Sequence, residues 1–251
     1  MSEKTRVTAR KEQKRKESLS IVIPAYNEAG RILPTISRID DYCRERFDVF
    51  EIIVVNDGSR DATRDMVLGR LEQTSSLRYE GYDENRGKGY AIRLGVGVST
   101  GDIVLVSDAD LSTPIEEVEK LLVPYDEGCD IVIGSRALAG SDIMVRQPWW
   151  REMMGKTFNV FVRSLLSVDF RDTQCGFKLF RGDRVRELFS RATVDRFAYD
   201  VEILSLARKA GLEIKEVPIR WLNSPASKVN PVRDSLQMMK DIIKLRLRNP
   251  D

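Results

Sequence analysis

Histidine is absent from this 251-residue chain. That excludes an imidazole general base, a histidine-activated nucleophile and every histidine-ligated metal centre. Cysteine is scarce. Cys43, Cys129 and Cys175 are widely spaced and odd in number, which fits a reducing cytosol and neither a disulfide framework nor a zinc site. No apolar stretch has the length of a membrane-spanning helix, and the N-terminus lacks the apolar region of a signal peptide. An excess of either charge is also missing, with 41 Lys+Arg against 39 Asp+Glu, so bulk charge gives no reason to expect nucleic acid as a partner. What remains is a chain long enough for one substantial domain, whose chemistry must rest on carboxylates, hydroxyls and cationic side chains.

The most telling of these carboxylates are in Asp108-Ala109-Asp110, which follows the apolar run Ile103-Val104-Leu105-Val106-Ser107. A short β-branched run bounded by polar residues reads as a buried strand. Its carboxyl end faces the crevice where open α/β sheets bind ligands. Residues i and i+2 of an extended segment point the same way, so both carboxylates can approach one cation. Mg²⁺ and Mn²⁺ take such oxygen ligands together with substrate phosphates. Taken alone, the pair reads equally well as loop residues or helix caps.

Two further strands end in the same manner. Glu51-Ile52-Ile53-Val54-Val55-Asn56 runs into Asp57-Gly58-Ser59, and Leu19-Ser20-Ile21-Val22-Ile23-Pro24 into Ala25-Tyr26-Asn27-Glu28. Tyr26, Glu28, Asp57, Asp108 and Asp110 are thereby delivered to one edge of a sheet. Asp57 by itself could be a turn residue supported by Gly58, or an N-cap.

The wider pattern is βα alternation. Strands are expected at 19–24, 51–56, 77–81, 103–108 and 131–135, with helices at about 30–46, 61–74, 87–98 and 114–125. This implies a mainly parallel sheet covered on both faces. Beyond 136 the rhythm changes. Helices are expected over 149–166, 183–189, 200–210 and 231–248, and a strand over 214–219. The last helix is expected to bury a face made of Val232, Leu236, Met239, Ile243 and Leu247. Residues 1–17 hold seven basic residues against three acidic ones and read as a disordered basic arm. The expected organisation is that arm followed by a single domain, 18–251, with further helices at its C-terminal end.

Ile23-Pro24-Ala25-Tyr26-Asn27-Glu28, Val54-Val55-Asn56-Asp57-Gly58-Ser59, Asn85-Arg86-Gly87-Lys88-Gly89 and Asp108-Ala109-Asp110 together resemble family 2 glycosyltransferases of the GT-A fold. Gly134-Ser135-Arg136, the run from Arg171 to Phe180 and the run from Phe197 to Glu202 resemble the branch that glucosylates dolichyl phosphate. The likeness covers about residues 18–248, and the motifs stand in the expected order.

The resemblance implies a Rossmann-like α/β sheet and a nucleotide-sugar donor, UDP-glucose above others. It implies a polyprenyl phosphate acceptor and a divalent metal, Mg²⁺ or Mn²⁺, on Asp108 and Asp110. Pro24, Tyr26, Glu28 and Asp57 would cradle the nucleobase and ribose. Lys88 would neutralise a phosphate, and Asp172 and Gln174, with Lys178 a lesser contributor, would line the donor-sugar pocket. Arg136 and Arg151 would bind the acceptor phosphate, since guanidinium groups grip phosphate bidentately, with Lys228 as a further phosphate ligand. Trp149 and Trp150 could flank the lipid or be core aromatics. Asp200 and Glu202 occupy the position where relatives acting on hydroxyl groups keep a catalytic carboxylate, although Glu202 also suits a helix start.

The expected reaction is an inverting hexosyl transfer in which Asp110, Arg136 and Asp200 are the catalytic candidates. Two alternatives stay within enzymes: a GDP-mannose-dependent transferase, or one with a hydroxyl acceptor. A non-catalytic nucleotide-sugar-binding module is a different class, and it would not need Asp108, Asp110, Arg136 and Asp200 together. A lipid acceptor requires a membrane visit. The expectation is peripheral attachment at the cytoplasmic face, through an anionic surface or a separate membrane partner.

Overall fold

A computed structural model describes residues 14–144, 170–222 and 231–248, with Met153 and Val162 between them. β1 (Leu19–Ala25), α1 (Ile32–Arg46), β2 (Phe50–Asp57), α2 (Thr63–Leu71), β3 (Leu77–Tyr82), α3 (Lys88–Val98) and β4 (Ile103–Val106) alternate as expected. A short 3₁₀ turn (Ile115–Glu117) leads into α4 (Val118–Asp126) and β5 (Ile131–Ser135). There follow β6 (Asp142–Ile143), β7 (Lys178–Arg181), α5 (Gly182–Arg191), α6 (Tyr199–Lys209), β8 (Ile214–Pro218), β9 (Arg220–Trp221) and α7 (Pro231–Arg248).

Seven strands form one sheet in the order β3-β2-β1-β4-β7-β5-β8, and β6 and β9 form a separate pair. Every neighbour in the large sheet is parallel except those of β7, which runs antiparallel to both β4 and β5. β1, β2 and β4 are buried on both faces, so they read as continuous apolar runs rather than alternating ones. The chain leaves β1 towards β2 and β3 on one side and returns to β4 on the other. The gap between the carboxyl ends of β1 and β4 is therefore the switch point where such sheets bind ligands.

Strand β7 is not legible in the sequence pattern. Its first residue, Lys178, pairs across with Val106 on one side and Ile133 on the other, which places an ammonium group in the middle of a buried sheet. Being antiparallel, β7 brings its amino end, and the 172–177 loop before it, to the same edge as the carboxyl ends of β4 and β5.

Two expectations are corrected. The basic arm does not extend to residue 17. Arg15 donates to Asp126 and Glu17, lies against the Tyr125 ring and bridges to Phe47, so the chain is pinned from there; residues 1–13 lie outside the described residues. The last helix buries Met238, Ile242 and Leu245, whereas Leu236, Ile243 and Leu247 are exposed. The expected apolar stripe is real but faces outward, with Met239 at its margin; the Val232 side chain is outside the described residues. Of the helix expected over 149–166, Met153 and Val162 are described and helical, and Val162 packs with Ala198, Val201, Met238 and Ile242.

Candidate active site

The site is assembled from the loops at the carboxyl ends of β1, β2, β4 and β5 and the loop entering β7. After β1, Asn27 takes a left-handed conformation (φ 55°), which asparagine tolerates because its short amide bonds to nearby backbone. Here the Arg60 N–H donates to Asn27 Oδ1 at 2.7 Å, and Asn27 N–H donates to Ser59 Oγ at 2.9 Å. The β1 and β2 loops are thus fastened to each other. Pro24 and Tyr26 stand half-buried at this edge. Glu28 is buried, and its carboxylate takes two hydrogen bonds from Arg31.

Arg31 went unnoticed in the sequence, although its i+3 spacing from Glu28 is the signal that could have found it. Its guanidinium also reaches Asp110 at 3.8 Å. Asp108 is answered by Lys88, whose Nζ stands 2.6 Å from Oδ1. Burial pushes the Lys88 ammonium towards its neutral form, yet Asp108 and Asp200 outweigh it and raise its pKa. Burial likewise favours protonated Asp108, but Lys88, Lys178 and Arg136 hold its carboxyl below the usual range. Both carboxylates of the turn are therefore set against long cationic side chains.

The turn itself is tightly built. Thr35 Oγ1 donates to the Ala109 carbonyl at 2.7 Å, and Ser112 N–H donates to Asp110 Oδ1 at 2.9 Å. Leu111 is left-handed (φ 45°), a conformation that costs a branched residue on the order of 1 kcal/mol or more and persists only when its surroundings enforce it. Gly176 lies so close that a Cβ there would sit 2.1 Å from Asp108 Oδ2. Only glycine lets the β7 loop pass this carboxylate.

As a metal site, Asp108 and Asp110 offer hard oxygen donors on one turn. No cluster of three or more acidic or cysteine side chains with metal-holding geometry occurs among the described residues. Cys175, beside them in the cleft, is kept as a thiol, its pKa pushed up to about 11 by burial and then by Asp172. Two carboxylates with a diphosphate completing the shell suit Mg²⁺ or Mn²⁺ and do not suit a thiophilic ion.

Asp57 has a different task from the expected one. Its carboxylate accepts from Tyr82 Oη (2.8 Å), Asn85 Nδ2 (2.8 Å) and the backbone N–H groups of Arg86 (2.7 Å) and Gly87 (3.0 Å). These donors occupy both oxygens, so Asp57 shapes the 85–87 loop in front of Lys88 and is not poised to read a nucleobase. Gly87 is required there. It has φ 110°, and a Cβ would meet the Asp195 carbonyl at 2.6 Å.

On the other side of the cleft, Arg136 donates through Nε and Nη2 to Asp172 at 2.7 and 2.8 Å, and through its backbone N–H at 2.9 Å. Burial disfavours the Asp172 charge, but Arg136 more than compensates, so the carboxyl lies below the usual range. Asp172 is thus the holder of Arg136 rather than a wall of the sugar pocket. Gln174 does line the cleft, with its amide against the Met238 sulfur at 3.0 Å.

Two further carboxylates are bound up inside the protein. Lys178 and Asp200 form a buried ion pair, and the same ammonium donates to the Cys175 carbonyl. Burial raises the Asp200 pKa in spite of Lys178 and Lys88. Lys178 is therefore not a direct donor contact, and Asp200 is not a free base. Glu202 accepts from the backbone N–H groups of Thr193 and Val194 at 2.9 and 2.8 Å, which makes it a brace for the segment before α6. Arg151, Lys228, Trp149 and Trp150 lie outside the described residues.

The cleft between these groups is lined by Ser107, Asp108, Ser112 and Thr113 on one side and Arg136, Gln174, Gly176 and Trp221 on the other. Ser107 Oγ and Thr173 Oγ1 are buried there or nearby without a hydrogen-bond partner among the described residues. The cleft thus sets one carboxylate, Asp108, across from one guanidinium, Arg136.

The model of "Glycosyl transferase family 2" matches residues 20–189. Dolichyl-phosphate beta-glucosyltransferase of Dictyostelium discoideum is 36% identical over 242 residues, spanning 92% of this chain and 74% of that protein. The Homo sapiens enzyme of the same description is 35% identical over 245 residues, spanning 92% and 76%. Among solved structures, glucosyl-3-phosphoglycerate synthase from Mycobacterium tuberculosis in complex with UDP superposes with TM-score 0.65 at 22% identity, over 94% of this chain and 82% of that one. The same synthase with Mn²⁺, UDP and glucosyl-3-phosphoglycerate gives TM-score 0.64 at 21% identity, over 94% and 81%. At such identity these structures speak for the fold.

Proposed function

We propose that this chain, which belongs to glycosyl transferase family 2, moves glucose from UDP-glucose to a polyprenyl phosphate of the dolichyl type, with inversion at the anomeric carbon. The observation that carries the reading is the cleft itself. The Asp108–Asp110 turn with its cations faces Arg136, held edge-on by Asp172, in a chain about 35% identical to dolichyl-phosphate glucosyltransferases over most of its length.

Asp108 and Asp110 are the residues that hold a divalent cation, Mg²⁺ or Mn²⁺. When bound, it supplies Lewis-acid stabilisation to the leaving diphosphate. Lys88 and Arg31 stand beside these carboxylates and add positive charge where the UDP leaving group develops its negative charge. Tyr26, half-buried next to Pro24, presents a ring on which a nucleobase stacks. Arg136, with Arg151 and Lys228 as further candidates, orients the acceptor phosphate. A phosphate monoester is already largely ionised near neutral pH, its second pKa being about 6, so the attacking oxygen needs no base. The engagement of Asp200 with Lys178 fits this chemistry and argues against a hydroxyl acceptor.

The acceptor lies in a bilayer, whereas no helix among the described residues is long and apolar enough to cross one. α7 offers the means of a peripheral visit. Leu236, Ile243 and Leu247 form an exposed stripe flanked by exposed Lys240, Lys244 and Arg248, the arrangement of a helix lying in an anionic interface. Residues 4–16 add further basic charge.

The decisive experiment incubates the protein with labelled UDP-glucose, UDP-galactose and GDP-mannose, each with a short polyprenyl phosphate or the corresponding alcohol. Label should pass from UDP-glucose to the phosphate alone. Transfer to the alcohol, or preference for GDP-mannose, overturns the assignment.

A further inference from the structure

Trp221 belongs to none of the sequence motifs, yet the fold makes it a fixed wall of the cleft. Its strand, β9, pairs in parallel with β6, with Ile143 opposite Trp221. The Met144 N–H donates to the Trp221 carbonyl at 3.1 Å, and the Leu222 N–H donates to the Ser112 carbonyl at 2.6 Å. One residue earlier, Arg220 N–H donates to the buried Glu117 carboxylate at 2.9 Å. Three consecutive residues are therefore tied down, two of them to the segment that follows Asp110. The backbone that carries the indole is thereby fixed, and the half-buried ring lines the cleft together with Asp108 and Arg136.

The Arg136 Cζ stands 5.4 Å from the centre of the Trp221 ring. Asp172 occupies Nε and Nη2, which fixes the guanidinium within its own plane and, among the described residues, leaves the Nη1 edge to a ligand. A carboxylate on one edge does not fix the tilt of that plane. An aromatic ring within cation–π distance does, because the positive group is attracted to the negative ring face. Arg and Trp together thus define a direction, and both line the cleft that also holds Asp108.

We propose that Trp221 is a positioning residue for the acceptor, holding Arg136 so that Nη1 meets the acceptor's phosphate oxygens. This rests on the reading of Arg136 as the phosphate-binding arginine, and adds to it the residue that sets its orientation. Trp221 touches no reacting atom. Its contribution falls on acceptor binding and not on the donor.

The test is steady-state kinetics with UDP-glucose and a short-chain polyprenyl phosphate on Trp221→Leu, Trp221→Phe and Arg136→Ala, with UDP affinity measured by calorimetry. Leucine keeps apolar bulk and removes the π face. Trp221→Leu should raise the acceptor KM by about 3- to 30-fold, the range that a cation–π contact spans, and leave donor KM and UDP affinity within about twofold. Trp221→Phe should recover most of the loss, and Trp221→Met, which also lacks a π face, carries the test if the leucine variant does not fold. An unchanged acceptor KM in Trp221→Leu, while Arg136→Ala raises it strongly, overturns the role of Trp221 and spares the acceptor site. A rise in donor KM instead makes Trp221 a wall for the sugar and also overturns the proposal. If Arg136→Ala itself leaves the acceptor KM unchanged, the acceptor-site reading falls and the role of Trp221 falls with it.

Discussion

The carboxylates of the β4 turn and those around β7 are all set against cations, yet the two regions differ in how those contacts are made. Asp108 and Asp110 are only partly buried, and their partners Lys88 and Arg31 are long side chains from the starts of α3 and α1. Asp172 and Asp200 are almost fully buried. They are gripped by Arg136 through a fork and by Lys178 from within the sheet. A partly exposed ion pair costs less to rearrange than a fully buried one, so the first region can exchange partners when a charged ligand arrives. A buried pair cannot, because separating it strands a charge in a low-dielectric interior. Acidic residues that look alike in sequence therefore divide into those that meet ligands and those that hold the residues that do.

This contrast fails or sharpens on measurement. The largest effect is expected at the buried pair. Lys178→Met leaves Asp200 uncompensated and should lower stability by about 3–5 kcal/mol, as for other broken buried pairs. Chemical denaturation checks it, and a loss under 1 kcal/mol would show that the pair is not structural.

Next comes Asp110→Ala, which should leave the denaturation midpoint nearly unchanged while removing about 3 kcal/mol of transition-state stabilisation, similar to loss of an oxyanion contact. Comparable losses of stability and activity would erase the distinction between the two regions.

Acid titration separates the two buried carboxylates by sign. Arg136 holds Asp172 below the ordinary carboxyl range, so its stabilisation is full above the unfolded pKa of about 3.9 and is lost as pH falls through the lower folded value. Burial raises Asp200, so its favourable contribution is full below about 3.9 and is lost as pH rises through the higher folded value. Asp172→Asn should therefore flatten the stability curve below about pH 4, whereas Asp200→Asn should steepen the rise of stability with pH just above it. Matching curves for the two variants would contradict these assignments.

The smallest effect concerns the outer face of α7. Replacing Leu236 and Leu247 by serine removes exposed side chains, so the denaturation midpoint should hold. Sedimentation with anionic vesicles should weaken about threefold to tenfold per residue, given partial burial of each side chain in the interface. Rising salt should weaken it further, at roughly 1 kcal/mol per basic residue engaged. Salt-independent pelleting, or none, would favour a separate membrane partner.

The amino acid sequence by itself determined the parallel half of the sheet. Its strands are buried on both faces, and a continuous β-branched run closed by a polar turn has few other uses. For the same reason Asp108, Asp110 and Glu28 were legible as an edge of charges, because strand ends placed them, whereas Lys88 was legible only through the family resemblance. It also showed that α7 is amphipathic. Only the tertiary structure decided which stripe of α7 is covered, because Met238, Ile242 and Leu245 meet Val162, Ala198 and Val201, and those neighbours are remote in sequence. Strand β7 was hidden for a like reason, since nothing local marks Lys178-Leu179-Phe180-Arg181 as an antiparallel insert between β4 and β5. The roles of Asp57, Asp172, Asp200 and Glu202 were hidden too. A carboxylate's task is set by which donors reach its oxygens, and those donors arrive from loops that only the fold brings together.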